Sequence, residues 1–281
     1  MYEIVKAHAL SETIFEMWIR APQIARNSQA GQFCIIHPNK TGERIPLTIS
    51  GVDNDLIRIL YMVVGTTTKH LSTLTSGNYL QDVVGPLGMP SGISKGSETV
   101  VIVGGGVGIA SLPIIAHAAK TAGNYVIGII GARNKILLIL EDEMRSICDE
   151  LLVTTDDGSY GIKGFVSTPL QTLCERGRTI DKVWVIGPSV MMKATSAITK
   201  PYGIKTYASL NPIMIDGTGM CGSCRVIVDG KMKFACVDGP EFDAHLVDWD
   251  DLMARQQMYV AEEKKSMVYH EIQHECRCRQ E

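Results

Sequence analysis

Aromatic residues are scarce. Phe, Trp and Tyr make up 6% of the 281 residues, too few for a row of base-stacking platforms. A net charge of −3 supplies no basic surface for nucleic acid or for an anionic membrane. Internal repeats and low-complexity tracts are absent. The charge-free stretch Thr99 to Ala119 has membrane-spanning length, but Gly104, Gly105, Gly106, Gly108 and Pro113 interrupt it. It reads as a buried strand, a tight turn and a helix start. Glu3 and Lys6 leave no compact apolar segment at the N-terminus, so no secretory leader is expected and a cytoplasmic location is.

What is present fits a globular chain with full cores: 45% hydrophobic and 20% charged residues. At ~150 residues per domain the length gives about two domains, or three if one is small. Residues 1–95 carry short apolar or alternating runs (Gly31 to His37, Ile57 to Val64, Val83 to Pro86) separated by turn clusters, which predicts a small antiparallel β-barrel. Residues 96–205 alternate apolar strands (Val100–Val103, Tyr125–Ile130, Glu150–Thr154, Lys182–Ile186) with helical stretches, the pattern of βα units on a parallel sheet. Residues 206–281 form a third region of clustered cysteines and an acidic, helix-prone tail.

Three stretches in the barrel region suit a flat, phosphate-bearing ligand. Arg44, Pro46, Leu47 and Thr48 place a guanidinium fork, which matches a pyrophosphate, beside a rigid proline and a hydroxyl. Val64, Gly65, Thr66, Thr67 and Thr68 run from a strand into a threonine-rich helix start that offers free amides to an anion. Gly85, Pro86 and Leu87 make a turn where backbone approaches a ring closely.

In the second region Gly104, Gly105, Gly106, Val107 and Gly108 lie between an apolar strand and a helix, the setting of a diphosphate-binding turn. Their spacing departs from G-x-G-x-x-G, with Ile109 in the last glycine position. After the next strand comes Arg133 and no carboxylate for a ribose, so NADH and NADPH both stay open. Asp157 and Gly158, then Gly187, Pro188 and Met191, follow later strands at carboxyl ends, where open α/β sheets bind ligands.

Eight cysteines without a leader point to thiol or metal chemistry. Cys34, Cys148 and Cys174 read as small buried hydrophobes. Cys221 and Cys224 form a C-x-x-C knuckle and Cys236 follows; a plant-type C-x₄-C-x₂-C arrangement needs a cysteine where Asp216 stands. The expected site is a [2Fe–2S] cluster on Asp216, Cys221, Cys224 and Cys236. Its rivals are Cys276 or Cys278 as the fourth ligand, and a structural zinc on the three cysteines plus a tail residue.

Arg-x-Pro-Leu-Thr at 44–48, Gly-Gly-Gly-Val-Gly-Ile-Ala at 104–110 and the C-terminal cysteine cluster together resemble the ferredoxin–NADP reductase superfamily. The segments 216–225 and 234–242, with aspartate in the first ligand position, are similar to the family of small subunits of NADH-dependent reduced ferredoxin:NADP oxidoreductases, also described as sulfide dehydrogenase FAD/NAD-binding subunits. The order of regions also resembles the electron-transfer subunit of dihydroorotate dehydrogenase, the alternative reading; a zinc-stabilised non-catalytic subunit is a more distant one. The resemblance implies FAD in the barrel, NAD(H) on the second domain and the cluster as electron exit. It implies Arg44 on FAD phosphate, Thr48 near flavin N5 as the catalytic contact, Thr66–Thr68 capping the pyrophosphate, and Gly104–Gly108, Asp157 and Gly187 along the nicotinamide nucleotide. A larger subunit with its own FAD and [4Fe–4S] clusters is the implied partner, with ferredoxin reached through it in electron bifurcation. Ser111 stands where relatives often have proline, and the Cys-Arg-Cys tail departs from the pattern.

Overall fold

The computed structural model describes residues 1–40 and 42–278, the last nine of these as backbone only. The first strands are β1 (Tyr2–Ala9) and β2 (Ile14–Arg20), followed by helix α1 (Pro22–Asn27), β3 (Phe33–His37), β4 (Ile45–Asp53) and β5 (Leu56–Met62). Helix α2 (Thr66–Leu71), β6 (Tyr79–Leu80) and β7 (Asp82–Leu87) complete the unit. The antiparallel order is β6-β1-β2-β5-β4-β3-β7. Because β6 and β7 are nearly continuous, residues 79–80 pair with β1 and residues 82–87 with β3, so one stretch serves both ends of the order and the sheet nearly closes into the expected barrel. Ile4, Met17, Ile19, Ile36, Ile49, Ile57 and Ile59 fill its interior.

A second sheet follows. Its elements are β8 (Thr99–Gly105), a 3₁₀ turn at Gly106–Ser111, α3 (Leu112–Thr121), β9 (Tyr125–Ala132), α4 (Glu141–Ile147), β10 (Glu150–Thr155), β11 (Ile162–Lys163), α5 (Ser167–Glu175), β12 (Lys182–Ile186), α6 (Ser189–Thr199) and β13 (Lys205–Ser209). The cysteine-bearing region adds the hairpin β14 (Arg225–Val228) and β15 (Lys231–Phe234), the turn of helix α7 (Ala235–Asp238), β16 (Glu241–Asp243), α8 (Trp249–Gln256) and α9 (Val260–Cys278). The sheet runs β11-β10-β9-β8-β12-β13-β16, parallel except for β16.

Two differences from the sequence expectation have physical causes. Strand β8 extends through Gly104 and Gly105, which pair with Ile130 and Gly131, because glycines in a parallel ladder leave no side chain to signal the strand. Strands β13 and β16 escaped notice because Lys205–Ser209 alternates polar and small residues and β16 has only three residues. The hairpin did carry a signal: Asp229 and Gly230 both have positive φ (52° and 67°), as a two-residue hairpin turn demands.

The three regions share cores. Phe33 and Ile35 of the barrel, Val101, Val103 and Val185 of the second sheet, and Cys224 and Cys236 belong to one buried cluster. Arg58 on β5 pairs with Glu16 and, at 2.8 Å, with Glu143 on α4, tying barrel to second sheet. The segment at 90–96, a linker by composition, is pinned: the Ser91 amide donates to Ala30 and its hydroxyl donates to Glu241 (2.6 Å).

Glu241 is the polar centre of this junction. Its second oxygen accepts from Trp184 Nε1 at 2.9 Å, and burial raises its pKa. A carboxyl raised in the folded state stabilises fully below its unfolded pKa and progressively less as pH rises through the folded value. Unfolding free energy is therefore expected to fall over the pH interval above 4.5, the ordinary glutamate value. Glu241→Gln removes this pH dependence but leaves one donor without an acceptor, at a cost of about 1–3 kcal/mol. Denaturant midpoints of both proteins across pH check it.

Candidate functional site

In the barrel, Thr48 lies opposite Phe33 on one side while Leu87 lies opposite Phe33 on the other, so the Arg44–Thr48 and Gly85–Leu87 segments meet across one central strand. Leu47 pairs with Cys34 and Pro46 with Ile35. Gly85 has no room for a side chain: an added Cβ would stand 3.0 Å from Cys34 Cβ. Ser50, the extra residue of a bulge in β4, is buried and its hydroxyl has no partner among the described residues.

Near the start of α2 the Thr68 hydroxyl accepts from the amides of Val64 (2.9 Å) and Gly65 (3.0 Å). The first helical acceptor bond is Lys69 to Gly65, so the amides of Thr66 and Thr67 have no acceptor within the helix. Space in front of Gly65 is open, with nothing within 4 Å of the point where a Cβ would stand. An orphan hydroxyl, unclaimed amides and an open approach fit a phosphate-bearing flavin.

The glycine turn sits at the carboxyl ends of β8 and β12. A Cβ on Gly108 would lie 2.3 Å from the Ile186 carbonyl oxygen, and one on Gly104 2.6 Å from Leu112 Cδ1. Gly106 takes φ +58° and faces open space. Val107, between these glycines, is half-buried in the 3₁₀ turn. The Met191 thioether lies against both Gly105 and Gly187, closing one wall of this cradle, and Pro188 leads into α6. At β9 and β10, the Asp157 amide donates to the Arg133 carbonyl (3.2 Å), while Gly158 turns at φ +78°. The Asp157 carboxylate accepts from the Ser159 amide at 2.8 Å, and the hydrogen bonds from Ser159 hold it below the usual range. The residues of the second region singled out from the sequence thus lie along one carboxyl edge of the sheet, where open α/β sheets bind ligands.

The cysteine loop leans on the barrel. Gly217 (φ +83°) packs so closely that a Cβ would be 2.8 Å from Leu87 Cδ1 and 3.0 Å from Ile35 Cγ1. Cys224 and Cys236 are buried with their sulfurs 3.2 Å apart, and Cys221 is exposed. The Asp216 carboxylate accepts from the Thr218 hydroxyl and amide, and those bonds, with a smaller contribution from the nearby Arg44 guanidinium, hold it below the ordinary carboxylate range. Among the described residues no three His, Cys, Asp or Glu side chains converge tightly enough to hold a metal ion. The fit rests on donor chemistry: three thiols and one ionised carboxylate in a single glycine-rich region. The side chains of Cys276 and Cys278, like those of His270 and His274, lie outside the described residues. Among the described residues no helix is long and apolar enough to cross a membrane.

Thr218 and Ser223 escaped the sequence reading; only their place two residues after a ligand type marked them. Ser223 changes its neighbour's chemistry. Its hydroxyl lies 3.1 Å from Cys221 Sγ, and its hydrogen bonds lower the Cys221 pKa, whereas burial pushes Cys236 up to about 12. In reduced, iron-free protein near neutral pH, iodoacetamide is expected to modify Cys221 at least ~10-fold faster than Cys236, a ratio read by mass spectrometry.

Residues 211–248 match the iron-sulfur cluster binding domain of dihydroorotate dehydrogenase B. The chain is 48% identical over 266 residues to a dihydroorotate dehydrogenase B (NAD(+)) electron transfer subunit homolog of Thermotoga maritima, covering 94% of this chain and 93% of that protein. It is 34% identical over 250 residues to the dihydroorotate dehydrogenase B (NAD(+)) electron transfer subunit of Streptococcus thermophilus, covering 85% of this chain and 94% of that one. A chain from a solved structure of an NADH-dependent reduced ferredoxin-NADP oxidoreductase, described in connection with flavin-based electron bifurcation, superposes with a TM-score of 0.90 at 47% identity, covering 96% of this chain and 98% of its own.

Proposed function

The chain belongs to the family of dihydroorotate dehydrogenase B electron-transfer subunits and their homologues, and from that premise we propose that it is the FAD-, NAD(H)- and [2Fe–2S]-bearing subunit of a heteromeric oxidoreductase, working as in NADH-dependent reduced ferredoxin:NADP oxidoreductases. The observation that carries this reading is the contact of Gly217, beside Asp216, with Leu87 and Ile35 of the barrel. Ile35 is on β3, which pairs with the Thr48 strand, and Leu87 is on β7 beyond it, so the loop that carries Asp216, Cys221 and Cys224 leans on the same side of the barrel.

Each region then has a task. Arg44 and the Thr66 and Thr67 amides would hold the FAD diphosphate, Thr48 would donate to the ring near N5, and Pro46, Leu47, Val64 and Gly85–Leu87 would shape its slot. Gly104–Gly108, Gly187, Pro188 and Met191, with Arg133, Asp157 and Gly158, would line NAD(H). Asp216, Cys221, Cys224 and Cys236 would hold the iron pair. When bound, a flavin accepts hydride from a nicotinamide and releases electrons singly, which joins a two-electron carrier to an iron–sulfur centre. Among the described residues of the site no nucleophile–base pair is called for; their task would be to hold the rings in place.

The partner separates this reading from that of a dihydroorotate dehydrogenase subunit. A co-purifying larger subunit with FAD and [4Fe–4S] clusters, reducing ferredoxin and NADP⁺, supports it. A co-purifying subunit that oxidises dihydroorotate refutes it in favour of the second. A colourless zinc-containing protein contradicts both.

A further inference from the structure

Arg44 reaches in two directions. It precedes β4 on the barrel, yet its Nε–H donates to the carbonyl of Ile215 at 3.2 Å, across 171 positions of sequence. Ile215 is the residue immediately before Asp216, on the loop that carries the cluster ligand types. A guanidinium has five N–H donors in a rigid fork, so a bond through Nε leaves both Nη groups free for a second, planar acceptor. The same loop is held from beneath: Gly217 lies flush on Leu87 and Ile35, and its φ of +83° admits no other residue easily. The barrel therefore grips this loop at two adjacent points, one apolar and one through the Arg44 guanidinium.

We propose that Arg44 is a tie between the two redox sites: its Nε–H holds the Ile215 carbonyl while its Nη groups take the FAD diphosphate, so that filling the FAD site and ordering the 215–221 loop are one linked event. The inference rests on the functional reading above and deepens it. An arginine recruited only for FAD would have no need to bond the loop. One recruited only for the loop would have no need of a place beside the Thr48 strand. Linkage makes the effect reciprocal, since whatever FAD does to the loop, an ordered, iron-loaded loop does to FAD affinity. Lysine at this position keeps a positive charge for phosphate, but its single ammonium cannot present two directed faces at once.

The test uses the full chain with its cluster, prepared without oxygen, stripped of FAD and then reloaded. In the natural protein, FAD is expected to slow amide exchange across residues 214–221 by about fivefold or more, and to shift the electron paramagnetic resonance signal of the dithionite-reduced cluster. In Arg44→Lys, flavin absorbance should still show bound FAD at saturation, while loop exchange and the cluster signal no longer respond to it. Equal exchange with and without FAD in the natural protein overturns the inference whether or not any variant folds. So does a full response that survives Arg44→Lys. A preparation that takes up neither FAD nor iron overturns the functional reading, and the inference with it, which keeps the two failures apart.

Discussion

Asp216→Ala is expected to strip iron from the protein, from about two atoms per chain to nearly none, while FAD stays bound. The carboxylate is already organised as an anion by the Thr218 hydroxyl and amide. Without it three thiols remain, two of them buried with sulfurs 3.2 Å apart, and the proposed ligand set is one donor short. Carboxylate is a harder ligand than thiolate, so Asp216→Cys should restore iron and shift the visible spectrum toward that of an all-thiolate cluster. FAD should still bind at saturation, with the lower affinity that the Arg44 linkage implies, because the other proposed anchors of its site, Thr48 and the Thr66 and Thr67 amides, lie on β4 and α2. Iron analysis and absorbance of oxygen-free preparations measure both. An unchanged cluster in Asp216→Ala would transfer the fourth position to Cys276 or Cys278.

Gly108→Ala is the second large effect expected, and it concerns the dinucleotide. The new methyl would run into the Ile186–Gly187 backbone: the Ile186 oxygen at 2.3 Å, its carbonyl carbon at 2.7 Å and Gly187 Cα at 2.8 Å. Backbone cannot rotate away as a side chain does, so the ends of β8 and β12 must part. Overpacking of this kind costs about 1–3 kcal/mol or more. Because the displaced atoms belong to the turn proposed to hold the dinucleotide, NADH affinity should fall roughly 10- to 100-fold, each tenfold being about 1.4 kcal/mol. Titration of NADH into the variant measures it, with FAD and iron content as controls. Gly65→Ala is the contrasting case, since nothing lies within 4 Å of its Cβ.

Much of this architecture was legible because its signals are local. The barrel, the parallel sheet and the glycine turn follow from strand periodicity and turn residues, and Cys221, Cys224 and Asp216 were marked by spacing alone. What escaped is non-local. Arg44 reads as a phosphate ligand, and nothing within a few residues of it discloses the bond to Ile215. Glu241 looks like one more acidic residue of a polar tail until folding buries it between Ser91 and Trp184. Strand β13 and its edge neighbour β16 are short and lack apolar runs, so their pairing is visible only in three dimensions. The hairpin turn at Asp229-Gly230 is the exception, a local signal that was present and unread.

Electrons from NADH held at the glycine turn are expected to pass, as hydride, to a flavin in the barrel and from it, singly, to iron, all within this one chain. Anaerobic titration of the FAD- and iron-loaded protein with NADH, followed by optical and electron paramagnetic resonance spectroscopy, tests it most directly. The flavin bands are predicted to bleach while a reduced two-iron signal grows in the same titration. Bleaching of the flavin with no iron–sulfur signal, or protein that holds flavin but no iron, would contradict it.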